Sequence, residues 1–257
     1  MTTQLMKNAR KYLLTFDGID NQIIDLHLKS WKTQRSNSLS QLFQSMANHA
    51  KNRHSMPNTI GDLEKLKEVL FGFQPNKVCD AYNDHITLLS EIKKNKIKTP
   101  MRIDIQNNKS HWVIYAKSLI SSAKFLSSFR SANEFHEFVE SFYNNQYSRL
   151  ALPLLLKEEI SGFGFALACD FLKENGYSGF IKPDTHIKSI CRAAGISDAD
   201  SDFGVFKDVI IYCDENALVP YEFDKLLWLV GSGNFYRNNI VVPTNKTNFI
   251  KQYLGGN

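Results

Sequence analysis

Cysteine is scarce and scattered in this chain: Cys79, Cys169, Cys191 and Cys213 are the only four among 257 residues. None is close enough to another to suggest a zinc site, an iron-sulfur cluster or a disulfide framework, and each lies in an apolar or helical pattern. The expectation is reduced, mostly buried thiols and no metal. Long apolar runs are missing too. Nothing approaches the roughly 20 apolar residues of a membrane span, and Met1-Thr2-Thr3-Gln4-Leu5-Met6-Lys7 lacks the apolar core of a signal peptide. No membrane association is expected, and a cytoplasmic protein is. There is no repeat, no low-complexity tract and no large excess of one charge: 31 Lys and Arg against 26 Asp and Glu give a formal +5. That balance permits an acidic partner without demanding one. The basic runs at Lys51-Asn52-Arg53-His54 and Lys93-Lys94-Asn95-Lys96-Ile97-Lys98 read as solvated loop or helix-end charge.

What is present is a core. Hydrophobic residues make up 43% of the chain, enough for one large or two modest domains. Their spacing is helical nearly throughout, so the fold class is mainly α. Leu5, Ala9, Tyr12, Leu13 and Phe16 form one stripe, and Ile23, Leu26, Leu28 and Trp31 another. Further helical patterns run over 39–51, 60–71, 77–94, 112–126, 134–143, 150–160, 166–174, 203–216, 221–231 and 247–254. Met101 to Ile105 alternates like a short strand, and residues 234–243 read as loop or extended chain. The composition shifts where Pro100 and the polar run Gln106-Asn107-Asn108-Lys109 interrupt the helices, which places a boundary near 105: a 1–105 N-terminal helical region and a 106–257 core.

Two segments carry chemistry. Ile160-Ser161-Gly162-Phe163-Gly164-Phe165-Ala166-Leu167-Ala168 sets two glycines around one apolar residue, immediately before a helical pattern. Such a turn points its backbone N–H groups outward at a helix N-terminus, which is a site for an anion. Lys182-Pro183-Asp184-Thr185-His186-Ile187 follows a loop bearing glycine and proline and places Asp184 at a helix N-cap. Alone, the first segment reads as an ordinary tight turn and the second as an ordinary cap.

Together they resemble the helix-hairpin-helix Gly/Pro-Asp superfamily of DNA base-excision repair glycosylases over roughly residues 110–236. Position 166, where bifunctional members carry a lysine, precedes Asp184 by 18 residues, the family's spacing. The resemblance implies two helical domains with a cleft between them, the second combining N-terminal and C-terminal segments, so that residues 1 to about 105 would pack with the last helices. It also implies a hairpin in which Gly162, Phe163, Gly164 and Ala166 hold a DNA phosphate, and a catalytic carboxylate at Asp184. Breaking an N-glycosidic bond builds oxocarbenium character on the sugar, which a nearby carboxylate stabilises. Alanine at 166 cannot form a Schiff base, so the expected activity is monofunctional hydrolysis without strand cleavage.

Lys182 and Lys188 are candidate DNA contacts, Phe235 and Tyr236 candidate walls of a base pocket, and His186 a packing residue behind Asp184. Ser121, Ser122 and Lys124 stand where family members carry a polar wedge for the gap left by the flipped base. No cofactor is implied. The implied partner is double-stranded DNA with a damaged base, bound by a monomer, on the nucleoid if the source is prokaryotic. The alternative is a catalytically silent DNA-binding module that keeps the hairpin.

Overall fold

The computed structural model describes residues 3–53 and 56–255, save the side chain of Pro57. The described chain is mainly helical. Its helices are α1 (Gln4–Leu13), α2 (Asn21–Leu28), α3 (Leu39–Lys51), α4 (Met56–Ile60), α5 (Pro75–Ala81), α6 (His85–Lys94), α7 (His111–Ser127), α8 (Ala132–Ser141), α9 (Gln146–Glu159), α10 (Phe165–Glu174), α11 (Thr185–Ala193), α12 (Asp202–Glu215) and α13 (Pro220–Ser232). A two-stranded antiparallel ribbon follows, β1 (Asn234–Phe235) with β2 (Ile240–Val241), and then α14 (Lys246–Leu254).

The chain divides into two compact units, one formed by residues 1–35 with 172–257 and the other by 36–171. The boundary expected near 105 is therefore corrected. That polar loop lies inside the second unit, where α5 and α6 before it and α9 after it all pack on α7. The loop changes composition because it is exposed between packed helices, which is a property of surface connections rather than of domain ends.

Each unit is organised around one helix whose burial runs nearly all the way round. In the second unit this is α7, with Trp112, Val113, Tyr115, Ala116, Leu119, Ile120, Ala123 and Leu126 buried, and α3, α4, α5, α6 and α9 packed against it. In the first unit it is α13, contacted by α1, α2, α11, α12 and α14. A helix apolar on every face belongs at a centre, yet α13 also buries Asp224 and Lys225. Those two charges are a feature of the site described below.

Local chemistry sets the helix ends. The pattern over 77–94 breaks into α5 and α6 because Asp84 leaves the helix and caps α6, its carboxylate accepting the Thr87 N–H at 2.8 Å. The pattern over 60–71 yields one short 3-10 turn, Leu63–Leu66. Beyond it Phe71, Gly72 and Phe73 all take positive φ, which ends any helix. Met101 to Ile105 forms no strand; among the described residues the only sheet is β1 with β2. The four cysteines are free thiols, three buried and Cys79 half-buried. No helix among the described residues is long and apolar enough to cross a membrane.

Candidate functional site

The residues singled out in the sequence divide between the two units. Gly162, Phe163, Gly164 and Ala166 lie in the second; Lys182, Asp184, Lys188, Phe235 and Tyr236 lie in the first.

In the second unit α9 and α10 are joined by a turn over Ile160 to Gly164. The Phe163 N–H donates to the Ile160 carbonyl at 3.0 Å, and Gly162, at φ +76°, supplies the left-handed residue the turn requires. Two serines of α7 brace it. Ser118 Oγ donates to the Ser161 carbonyl at 2.6 Å, and the Ser161 N–H donates to Ser121 Oγ at 2.9 Å. Ser121 therefore holds the turn, and Ser122 is buried within α7. Both serines face protein, so neither is free to act as a wedge.

The same geometry separates the candidate phosphate donors. Phe163 is corrected, because its amide is consumed in the turn and its ring is 2% exposed in the core. Among the described residues no acceptor meets the amides of Gly162, Gly164 or Ala166. Gly162 and Gly164 are exposed and Ala166 is half-buried. A Cβ on Gly162 would stand 2.9 Å from Ser118 Oγ, so that glycine is needed by the fold. A Cβ on Gly164 would meet nothing within 4 Å. A pocket of about 420 Å³ opens beside the turn, lined by Gly162, Phe163, Gly164 and Leu167 with Arg53, Lys157 and Glu158. Unpaired amides, a helix N-terminus and two cationic side chains favour an anion there. Glu158, whose carboxylate lies 3.5 Å from Lys157 Nζ, partly offsets them. Arg53 and Lys157 carry no motif; Lys157 sits on the last turn of α9, and only Arg53 is brought beside the turn by long-range packing.

In the first unit Asp184 is the N-cap of α11. Its Oδ1 accepts the His186 and Ile187 N–H groups at 2.8 and 3.0 Å. Among the described residues no hydrogen bond reaches its Oδ2, and the residue is half-buried. Its own N–H donates to the Lys182 carbonyl at 2.8 Å across the buried Pro183, closing a three-residue turn. His186 packs its ring against Gly231 of α13, with Nδ1 buried and without a hydrogen-bond partner.

Beneath the turn lies an ion cluster. Asp224, 1% exposed, accepts from Lys173 Nζ at 2.6 Å through Oδ2 and from the Lys182 N–H at 3.2 Å through Oδ1. Burial holds the Asp224 carboxyl above the usual carboxylate range, Lys173 pulls against this, and the nearby charge of Asp184 adds to it. Lys225 is also buried; its Nζ lies 2.8 Å from Glu174 and about 5.3 to 5.5 Å from the ring centres of Tyr221, Trp228 and Tyr236.

Lys188 forms an ion pair with Asp202 at the start of α12, so its cation is already balanced. Phe235 is corrected as a pocket wall: it is 0% exposed, with its ring edge-to-face on His27. Tyr236 is 40% exposed, its ring near both Lys225 and Arg237. His27, fully buried, donates from Nδ1 to the Ile23 carbonyl at 2.9 Å and accepts the Arg237 N–H on Nε2 at 3.3 Å. This fixes its neutral tautomer. Burial, Lys225 and Arg237 lower its pKa, against the bond to Ile23. Among the described residues no three His, Cys, Asp or Glu side chains converge on a metal position.

No family model, curated protein or solved structure matches the chain.

Proposed function

We propose that this protein is a monofunctional DNA glycosylase of the helix-hairpin-helix type, releasing a damaged base from double-stranded DNA. The observation that carries the reading is the state of Asp184. One carboxylate oxygen is committed to the α11 cap, while among the described residues no hydrogen bond reaches the other. A carboxylate so held keeps its direction and still offers an oxygen to a ligand.

The turn over 160–164 supplies the grip. The Gly164 and Ala166 amides, with Arg53 and Lys157 beside them, take a phosphate of the DNA backbone and carry no base preference. As the C1′–N bond breaks, its electron pair leaves with the base and positive charge grows on the sugar, where Asp184 stabilises it. Water then adds its oxygen to C1′, and the proton it loses balances the charge on the departing base. Ala166 provides no amine, so the backbone stays intact. Tyr236, with its exposed ring, is the candidate surface for the flipped base, and Lys182 the candidate contact to DNA beside Asp184.

A second reading is supported by the same cap: a carboxylate whose work is to hold α11 fits a DNA-binding module without activity. Duplexes carrying alkylated, oxidised, deaminated and mismatched bases, assayed for abasic sites with and without alkali, separate the two. The glycosylase produces breaks in at least one duplex only after alkali. Salt-dependent binding with no abasic site in any duplex identifies the module.

A further inference from the structure

Asp224 and Lys173 are both nearly inaccessible, at 1% and 3% exposure, in the centre of a helical unit where apolar side chains of similar size would pack. A buried ion pair is a weak source of stability, since desolvating both charges offsets their attraction. What an apolar pair cannot do is accept a hydrogen bond. Asp224 Oδ1 accepts the Lys182 N–H at 3.2 Å, the Lys182 carbonyl accepts the Asp184 N–H at 2.8 Å, and Asp184 Oδ1 accepts the first amides of α11. An unbroken series of bonds therefore runs from Lys173 on α10, through Asp224 on α13, to the backbone of Asp184. Pro183, buried between them, removes one backbone freedom from the same turn.

We infer that Asp224, charge-balanced by Lys173, is a positioning residue that fixes the direction of the Asp184 carboxylate in the base-release reaction. This rests on the glycosylase reading above. Asp224 touches no substrate in this account; it acts only through the Lys182 to Asp184 turn.

Two double variants isolate the role. Asp224→Asn with Lys173→Met removes both charges and keeps an oxygen for the Lys182 N–H; Asp224→Leu with Lys173→Met removes the oxygen as well. Thermal melting, duplex affinity and single-turnover base release are measured for each and for the wild-type protein. The asparagine variant is expected to keep a rate close to wild type. The leucine variant is expected to lose about tenfold or more in rate, as displacement of a reacting group does, with a smaller loss in duplex affinity, because the amides of Gly164 and Ala166 still hold a phosphate. Where the leucine variant does not fold, Asp224→Ala with Lys173→Met takes its place. Equal rates for the two arms, with wild type active, overturn the positioning role alone. No base release by the wild-type protein overturns the glycosylase reading, and this role with it.

Discussion

Ser118 Oγ stands 2.9 Å from where a Cβ on Gly162 would lie, and Gly162 is at φ +76°. Gly164, two residues on, has neither constraint. Gly162→Ala should therefore cost about 1–3 kcal/mol through strain and crowding, visible as a lower thermal midpoint. Gly164→Ala should leave the midpoint in place and weaken duplex DNA binding by about tenfold, because the added methyl occupies the space a phosphate would use. Equal DNA affinity for wild type and Gly164→Ala would remove the turn from the interface.

Arg53 and Lys157 line the pocket beside that turn. If each neutralises a phosphate, replacing both with alanine lowers the slope of log affinity against log salt by about 1.8. A slope unchanged in a salt titration from low to physiological ionic strength means that neither side chain meets the backbone.

His27 should make stability depend on pH. Its folded-state pKa is lowered by burial, so the unfolded chain binds the proton more readily and stability rises with pH. The contribution is complete above the ordinary histidine value of about 6.5 and is lost as pH falls from there through the lowered folded value. Urea midpoints should drop between neutral and mildly acidic pH in the wild-type protein. His27→Gln should flatten that slope, whatever it does to stability at neutral pH. The side chain also accepts the Arg237 N–H, so loosening of the ribbon beside Tyr236 should accompany the loss.

The buried pair itself predicts an asymmetry. Lys173→Met alone leaves Asp224 uncompensated and should cost about 3–5 kcal/mol, whereas Lys173→Met with Asp224→Leu should recover a large part of that. A double-mutant cycle by chemical denaturation measures the difference.

Helical spacing was enough to read most elements, since stripes such as Leu5, Ala9, Tyr12 and Leu13 are the buried faces of real helices. It failed where capping cut a continuous pattern, as Asp84 does between α5 and α6. The composition shift near Thr99 to Ser110 did not mark the division of the chain, because that depends on α1 and α2 meeting α13 from the far end of the sequence; only the resemblance pointed to N-terminal residues packing with the last helices. At the site, Asp184 as a cap follows from its place before Thr185 and His186. Asp224 was missed because a charge in a helical stripe normally marks the solvent side. The available signal was that Asp224 and Lys225 interrupt a helix apolar on its other faces. Ser118 and Ser121, spaced one helical turn apart on the buried α7, gave a comparable signal for the brace on Ser161.

Asp184→Asn separates the cap from the chemistry. Asparagine caps a helix as well as aspartate does, so the fold, the thermal midpoint and the duplex affinity should stay as in wild type, while the charge that supports base departure is gone. Single-turnover base release should fall by about a hundredfold or more. Full base release by a folded Asp184→Asn protein would contradict the catalytic role of Asp184.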